Sequence, residues 1–282
     1  MIRASFKFIK PILSKIGISK PLIAVYFFCS KIILDCQNFI DLRFRKTAVV
    51  LLYHRIQSIS KDEHMLAVKP QNFERHIIFL KKHFDIISTK ELADRLKTKT
   101  LRGSEACITF DDGYKDNITN ALPILKKYNV PATIFVTTGQ IGQTAHFDWD
   151  LDYLEGERAI FASLSDLSEL SKEALIEIGG HTVNHIRLSD HEYDKQHVEI
   201  QGGKQALDTI TQKPTESFAY PFGNVNDFDR DSIRIIKKLG FKAAFANTGR
   251  FVTNSSKLWS IPRINIRDID IEELAVKLHK HL

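Results

Sequence analysis

The chain has 282 residues, is 43% hydrophobic and 26% charged, and carries a formal net charge of +6. That length and apolar content suffice for one sizeable core, and no internal repeat or low-complexity linker divides it. Three cysteines, Cys29, Cys36 and Cys107, are odd in number and lack zinc-type spacing, which argues against a disulfide framework and fits a reducing compartment.

The charge is unevenly placed. Residues 1–46 hold nine Lys or Arg and two Asp, a balance of +7, whereas the remainder has 31 basic and 32 acidic residues. Neutrality outside the leader, with no recognition motif beside it, argues against a nucleic-acid partner. Within the leader Pro21 to Phe28 is apolar but short, and Lys31 and Asp35 interrupt the next stretch. A spanning helix of roughly 20 apolar residues is therefore not available. A basic start and apolar centre outline a secretory signal, yet no small-residue cleavage site follows and Asp35 spoils Cys36 as a lipoprotein-type cysteine. The expectation is a helical, basic extension over 1–46, lying on an anionic membrane surface or packed against the domain formed by 47–282. A cytoplasmic or cytoplasmic-membrane-associated location fits this, with export left open.

Beyond the leader, strand-like runs alternate with helix-like ones. Ala48 to His54 is apolar and ends in a histidine; Gln71 to His83 reads as a helix and Phe84 to Ile87 as a strand. Ala106 to Phe110 reads as a buried strand that stops at Asp111-Asp112-Gly113. Asp116 to Tyr128 has an apolar face of Ile118, Leu122 and Leu125, with Pro123 implying a kink or a helix that starts there, and Pro131 a firm break. Thr133 to Val136 is the next strand, followed by Phe147-Asp148-Trp149-Asp150. Tyr153 to Leu170 has the look of an insertion over one end of the fold. Helices are expected at Ser171 to Ile178, Glu192 to Ile210, Asp229 to Leu239 and Ile271 to His281, and strands at Ser217 to Tyr220, Ala243 to Ala246 and Ile261 to Ile266. This alternation predicts an α/β fold on a parallel sheet. The chemistry-bearing residues all follow strands, where the active end of a (β/α) barrel lies.

Two adjacent carboxylates in one cleft repel each other unless a cation or a shared proton compensates. Asp-Asp-Gly is also ordinary turn chemistry. His181-Thr182-Val183-Asn184-His185 tilts the balance: two imidazoles at i and i+4 can meet at one point if the segment makes a helical turn, and Gly179-Gly180 lets the backbone approach closely. One Asp with two His is an open zinc-type set, with three protein ligands and room for water and substrate. Ser217-Phe218-Ala219-Tyr220-Pro221-Phe222-Gly223 adds a third strand tip that turns sharply.

Together, Thr109-Phe110-Asp111-Asp112-Gly113-Tyr114, His181 to His185 and Ala219-Tyr220-Pro221-Phe222-Gly223 resemble the motifs of the polysaccharide deacetylases, the NodB-homology or carbohydrate esterase family 4 enzymes. The resemblance runs from about Thr47 to about Ile266. It implies a distorted, often seven-stranded (β/α) barrel and hydrolysis of N-acetyl, less often O-acetyl, groups on a cell-envelope saccharide or its lipid-linked precursor. It further implies that Asp112, His181 and His185 hold a divalent metal, most often zinc, that Asp111 is the general base, and that the Phe222 N–H, with Tyr220 and Pro221 beside it, serves the oxyanion.

Two departures stand out. No late Leu-x-His segment supplies the acid, but Val49 to His54 looks like that strand moved to the front, as in circularly permuted members. His54 is the expected acid, although a histidine capping a strand would read the same way. Ala219 stands where many relatives carry an Arg that orients the base; Arg263, in Ser260-Ile261-Pro262-Arg263-Ile264-Asn265, is the expected substitute, against a solvated surface role. Trp149 is expected as an apolar wall for the acetyl methyl or a platform for a sugar ring, with Asp148 or Asp150 orienting a histidine. A noncatalytic saccharide-binding barrel and an amidohydrolase for small non-sugar amides are the alternatives to the deacetylase.

Overall fold

The structure is a computed structural model that describes residues 46–144, 147–150, 153–154 and 157–279. The expected leader, residues 1–45 in particular, lies outside the described residues. Seven staves form the sheet: β1 (Thr47–Tyr53), β3 (Glu105–Phe110), β4 (Ala132–Val136), β5 (Ile176–Gly180), β6 (Ser217–Ala219), β7 (Ala243–Ala246) and a last one split into β9 (Ile261–Pro262) and β10 (Ile264–Asn265). All of these pairings are parallel. The last stave closes the barrel. β9 bonds to β7, and two residues later β10 bonds to β1, so the chain changes partner at Arg263. Short β2 (Asp85–Ile86) pairs with β3, and β8 (Val252–Thr253) runs antiparallel on β1.

Strands buried on both faces read as unbroken apolar runs, and β1, β3 and β4 are buried at every position. One face packs under the helices in a large cluster that includes Val49, Ile108, Ile134 and Leu125. The other fills the barrel with Val50, Cys107, Phe135, Ala219 and Phe245. Cys107 is a buried free thiol in that interior.

Helices α1 (Pro70–His83), α2 (Thr89–Thr98), α3 (Leu122–Tyr128), α4 (Leu164–Leu170), α5 (Tyr193–Thr211), α6 (Arg230–Lys238) and α7 (Ile271–His279) alternate with the staves. α2 escaped the periodicity reading, although Ser88-Thr89-Lys90-Glu91 is a helix-start signal and the Ser88 hydroxyl accepts from the Glu91 N–H. The expected helix over Ser171 to Ile178 is a correction. Helix-forming Lys, Glu and Ala there make only a turn, and the alternating Ile176-Glu177-Ile178 begins β5 instead. Tertiary demand decides this, because the barrel needs a stave beside β4 and a β-carbon on Gly179 would lie 2.4 Å from the Phe135 ring. The Tyr153 to Leu170 insertion also divides: Leu164–Leu170 is an outer helix, while Phe161 and Ala159 join Tyr114 and Phe147 in a small cluster beside the double Asp.

The Asp116 to Tyr128 helix opens with a π turn at Asn117–Ala121, and the α-helix proper starts at Leu122 with Pro123 in its first turn. Pro123 has no N–H and its ring crowds the carbonyl four residues back. The ladder widens there, with the Leu122 N–H bonding to the Asn117 carbonyl five residues back.

Candidate active site

Strand tips bring the site together. β1 and β3 run in register, Tyr53 beside Phe110, and the Asp111 N–H donates to the Tyr53 carbonyl at 3.0 Å. His54 and Asp111 thus leave adjacent strands at the same level. From β5 come His181 and His185, and from the tip of β6 the Pro221-Phe222-Gly223 turn.

Asp112, His181 and His185 converge. One ligand atom from each lies within 4.8 Å of the others, and the Asp112 Oδ1 is 3.5 Å from His181 Nε2 and 3.4 Å from His185 Nε2. The His181 Nδ1–H donates to the Ala219 carbonyl at 2.8 Å. That bond fixes the tautomer and leaves the Nε2 lone pair facing Asp112, the arrangement usual for a metal-ligating histidine. The set fits a divalent ion on one further observation: Asp112 Oδ1 is buried with no hydrogen-bond partner. Such an orphan costs free energy unless something occupies it. Burial pushes the Asp112 carboxyl well above its ordinary range, and Asp111 and Asp150 push it the same way. Burial lowers both histidines, so the two imidazoles are neutral donors and not partners in an ion pair.

The histidine segment is not a helical turn, which corrects the expectation. Thr182 and His185 both take positive φ, 64° and 55°, and the two rings meet through a tight loop. Glu199, on the buried face of α5, holds that loop by accepting from the Val183 N–H, the Asn184 N–H and the Asn184 Nδ2. The sequence reading passed over Glu199. Its signal was an acid in line with Gln196, Gly203 and Leu207 on the inward face of an amphipathic helix.

Asp111 is held apart from the ligand set by Arg263. The guanidinium Nη1 lies 2.6 Å from Oδ1 and Nη2 2.7 Å from Oδ2, a two-pronged pair with both partners buried. Burial raises the Asp111 carboxyl most, but the opposing influences, led by the Arg263 charge and its hydrogen bonds, together hold the group below its ordinary range. Arg263 therefore stands where the Ala219 vacancy required a cation, and no solvated role remains for it. Asp112, His185 and Phe222 adopt left-handed backbone, φ 74°, 55° and 61°. Strain of this kind persists where the surroundings fix it and clusters at functional sites.

Phe222 centres a γ-turn in which the Gly223 N–H donates to the Pro221 carbonyl at 2.6 Å. The residue is 40% exposed, with its ring beside His185 and under the Arg187 guanidinium. Pro221 is buried and shapes the turn. Tyr220 is a correction: its hydroxyl donates to the Trp259 carbonyl at 2.8 Å and its ring stacks on Phe228, so it belongs to the core behind the site. Trp149 does reach the site, stacked on Phe147 and edge-on to His185, with its indole N–H donating to the Tyr114 hydroxyl. Neither neighbouring carboxylate orients a histidine. Asp148 is exposed, and buried Asp150 accepts from the Tyr114 hydroxyl at 3.3 Å, with burial raising its carboxyl to about 6.

His54 leaves β1 at the level where Asp111 leaves β3. Burial lowers its imidazole to about 4, against an opposing pull from Asp111 and with Arg263 pushing it down further. Its Nδ1 is buried without a partner, so the ring does not cap the strand through that atom.

A sequence-family model described as polysaccharide deacetylase matches residues 98–257. The chain belongs to the polysaccharide deacetylase family. Among curated members of that family, the poly-beta-1,6-N-acetyl-D-glucosamine N-deacetylase of Staphylococcus aureus is 30% identical over 249 residues, covering 81% of each chain. Among solved structures, the Streptococcus pyogenes deacetylase PplD in complex with acetate is 26% identical, with a TM-score of 0.69 over 82% of this chain and 98% of that one. IcaB from Ammonifex degensii, 22% identical with a TM-score of 0.68, covers 83% and 97% and shares the fold. The nearly closed, mostly parallel barrel is the one this deacetylase family uses.

Proposed function

We propose that the chain is a metal-dependent N-deacetylase that removes acetyl groups from an N-acetylglucosamine polymer of the cell envelope. The observation that carries the reading is the separation of the double Asp into two jobs. Asp112 points an unpartnered oxygen at two neutral imidazoles, while Asp111 is locked in a bidentate pair with Arg263. The Staphylococcus relative, named for a β-1,6-linked polymer, supports the substrate class.

Asp112, His181 and His185 would hold the ion. When bound, a divalent ion supplies Lewis-acid polarisation and a lowered pKa for water, towards about 7. Asp111, kept ionised by Arg263, takes a proton from the attacking water as general base. The Phe222 N–H, at the centre of the γ-turn, donates to the oxyanion that forms at the carbonyl carbon. The new C–O bond forms, the C–N bond breaks, and the amine nitrogen departs with a proton supplied through His54. That imidazole is neutral at rest, so the proton it delivers to nitrogen is the one Asp111 removed from the attacking water, and both side chains end as they began. Trp149 and Phe147 wall off an apolar side suited to the acetyl methyl. The +7 balance of residues 1–46 supports a position at an anionic membrane surface.

The test is acetate release from poly-β-1,6-N-acetylglucosamine by purified, metal-loaded protein. Turnover is expected for the native chain and loss of it for Asp112→Ala and His181→Ala. Full activity in either variant would sink the mechanism, and chelator-insensitive binding without turnover would favour the noncatalytic barrel.

A further inference from the structure

The π turn after the double Asp meets the tip of β1 through side chains alone. Asn117 Nδ2 donates to the His54 carbonyl at 2.7 Å, and the Asp116 carboxylate accepts from the Ile56 N–H at 2.8 Å and from the Arg55 Nε at 3.1 Å. Asn120 Nδ2 donates to the Ile56 carbonyl at 2.7 Å and to Gln57 Oε1 at 3.0 Å. Three polar side chains, from the π turn and the residue before it, thus satisfy the carbonyl of His54 and both backbone groups of Ile56. Asn117 is fully buried and Asp116 nearly so, and few surface-type residues are so placed without a structural or positional task.

An ordinary α-turn would not present this set. Residues three apart on a regular helix share a face, whereas neighbours 116 and 117 diverge by about 100°. The widened turn, which Pro123 imposes, lets Asp116, Asn117 and Asn120 all bond to one passing strand. π turns recur at functional sites for this sort of reason. The π turn begins five residues after Asp112, so the loop that carries the base and a ligand also grips the strand that carries the acid.

We propose that Asn117, assisted by Asp116 and Asn120, is a positioning residue for His54: it fixes the tip of β1 so that the imidazole meets the departing amine nitrogen. This rests on the reading of His54 as the acid. Arg55 completes the clamp, as its Nη1 donates to the Glu157 carbonyl and its guanidinium lies over the Tyr114 and Tyr153 rings.

A positioning role and a merely structural one separate on the leaving group. Cleaving an acetamide needs a proton on nitrogen, whereas 4-nitrophenyl acetate releases its phenolate without one. The experiment measures kcat and KM on both substrates for Asn117→Ala, Asn117→Asp and His54→Ala, with metal content recorded for each. Asn117→Asp keeps the shape but sets a buried carboxyl against the His54 carbonyl and beside Asp116, so a thermal melt of each variant is recorded to separate a folding defect from a local one. The expected result is a loss of about 10²-fold in kcat on the polymer, the size of a roughly 1 Å misplacement. KM and metal content stay unchanged, and the loss on the activated ester is under about threefold. His54→Ala should show the same selectivity with a larger loss, up to about 10⁴-fold. If His54→Ala is amide-selective but both Asn117 variants lose equally on the two substrates, or lose nothing, the positioning role is overturned. If His54→Ala is not amide-selective, the acid reading fails and the inference falls with it.

Discussion

Replacing Arg263 with Met should damage the base before it damages anything else. Arg263 is completely buried and Asp111 is 3% exposed, with both guanidinium nitrogens within 2.7 Å of the two carboxylate oxygens. Removing one partner of such a pair leaves a buried charge uncompensated, at a cost of about 3–5 kcal/mol. The carboxyl escapes that cost by taking up a proton, because burial, now unopposed by Arg263, favours the neutral acid. A protonated Asp111 cannot accept from water, so kcat at neutral pH should fall by about 10²–10⁴-fold. The sign on pH follows. In the native chain the depressed carboxyl contributes stability above the usual carboxylate range, lost as pH falls through its folded pKa. In Arg263→Met that contribution disappears and the acid limb of the rate profile moves to higher pH, with activity partly regained on the alkaline side. Arg263→Lys keeps the charge without the two-pronged geometry and should fall between. The assay is acetate release against pH, paired with urea unfolding. A Met variant with kcat within threefold of native and an unshifted acid limb would refute the base assignment.

Three other outcomes follow from neighbouring structure. Glu199→Ala frees the Val183 and Asn184 N–H groups that hold the histidine loop, so zinc affinity by equilibrium dialysis should drop about 10–100-fold. Gly179→Ala places a methyl 2.4 Å from the Phe135 ring; overpacking of about 1–3 kcal/mol should appear as a lowered Tm. Glu105, buried, accepts from the Arg102, Gly103 and Ser104 N–H groups and pairs with Arg95, which together outweigh burial and depress its carboxyl. Its contribution is present above the usual carboxylate range and is lost as pH falls through its folded pKa. Glu105→Gln should therefore cost about 1–3 kcal/mol at neutral pH and progressively less in acid, seen in Tm against pH.

Much of the site was legible because its parts are local. Asp111-Asp112, His181 to His185 and the Pro-Gly turn each occupy one strand tip, and the alternation of elements put those tips at one end of a barrel. Arg263 was legible as a cation in search of a partner, since Ala219 left one missing. What stayed hidden depends on pairings distant in sequence. β5 was obscured by helix-forming neighbours, and only the adjacent β4 and the Phe135 ring beside Gly179 compel a strand there. Tyr220 looked like part of the oxyanion turn, yet its direction is set by the Trp259 carbonyl and the Phe228 ring. The grips of Asn117 on His54 and of Glu199 on the histidine loop join residues 63 and 15 or more positions apart, and no local pattern announces them.

The central claim is that Asp112, His181 and His185 together hold one metal ion that the reaction needs. Its most direct test is acetate release from poly-β-1,6-N-acetylglucosamine by metal-stripped protein as zinc is returned in measured amounts. The account predicts no turnover in the stripped protein and activity that rises to a plateau at one equivalent per chain. Full turnover after stripping, unchanged as zinc is added, would contradict it.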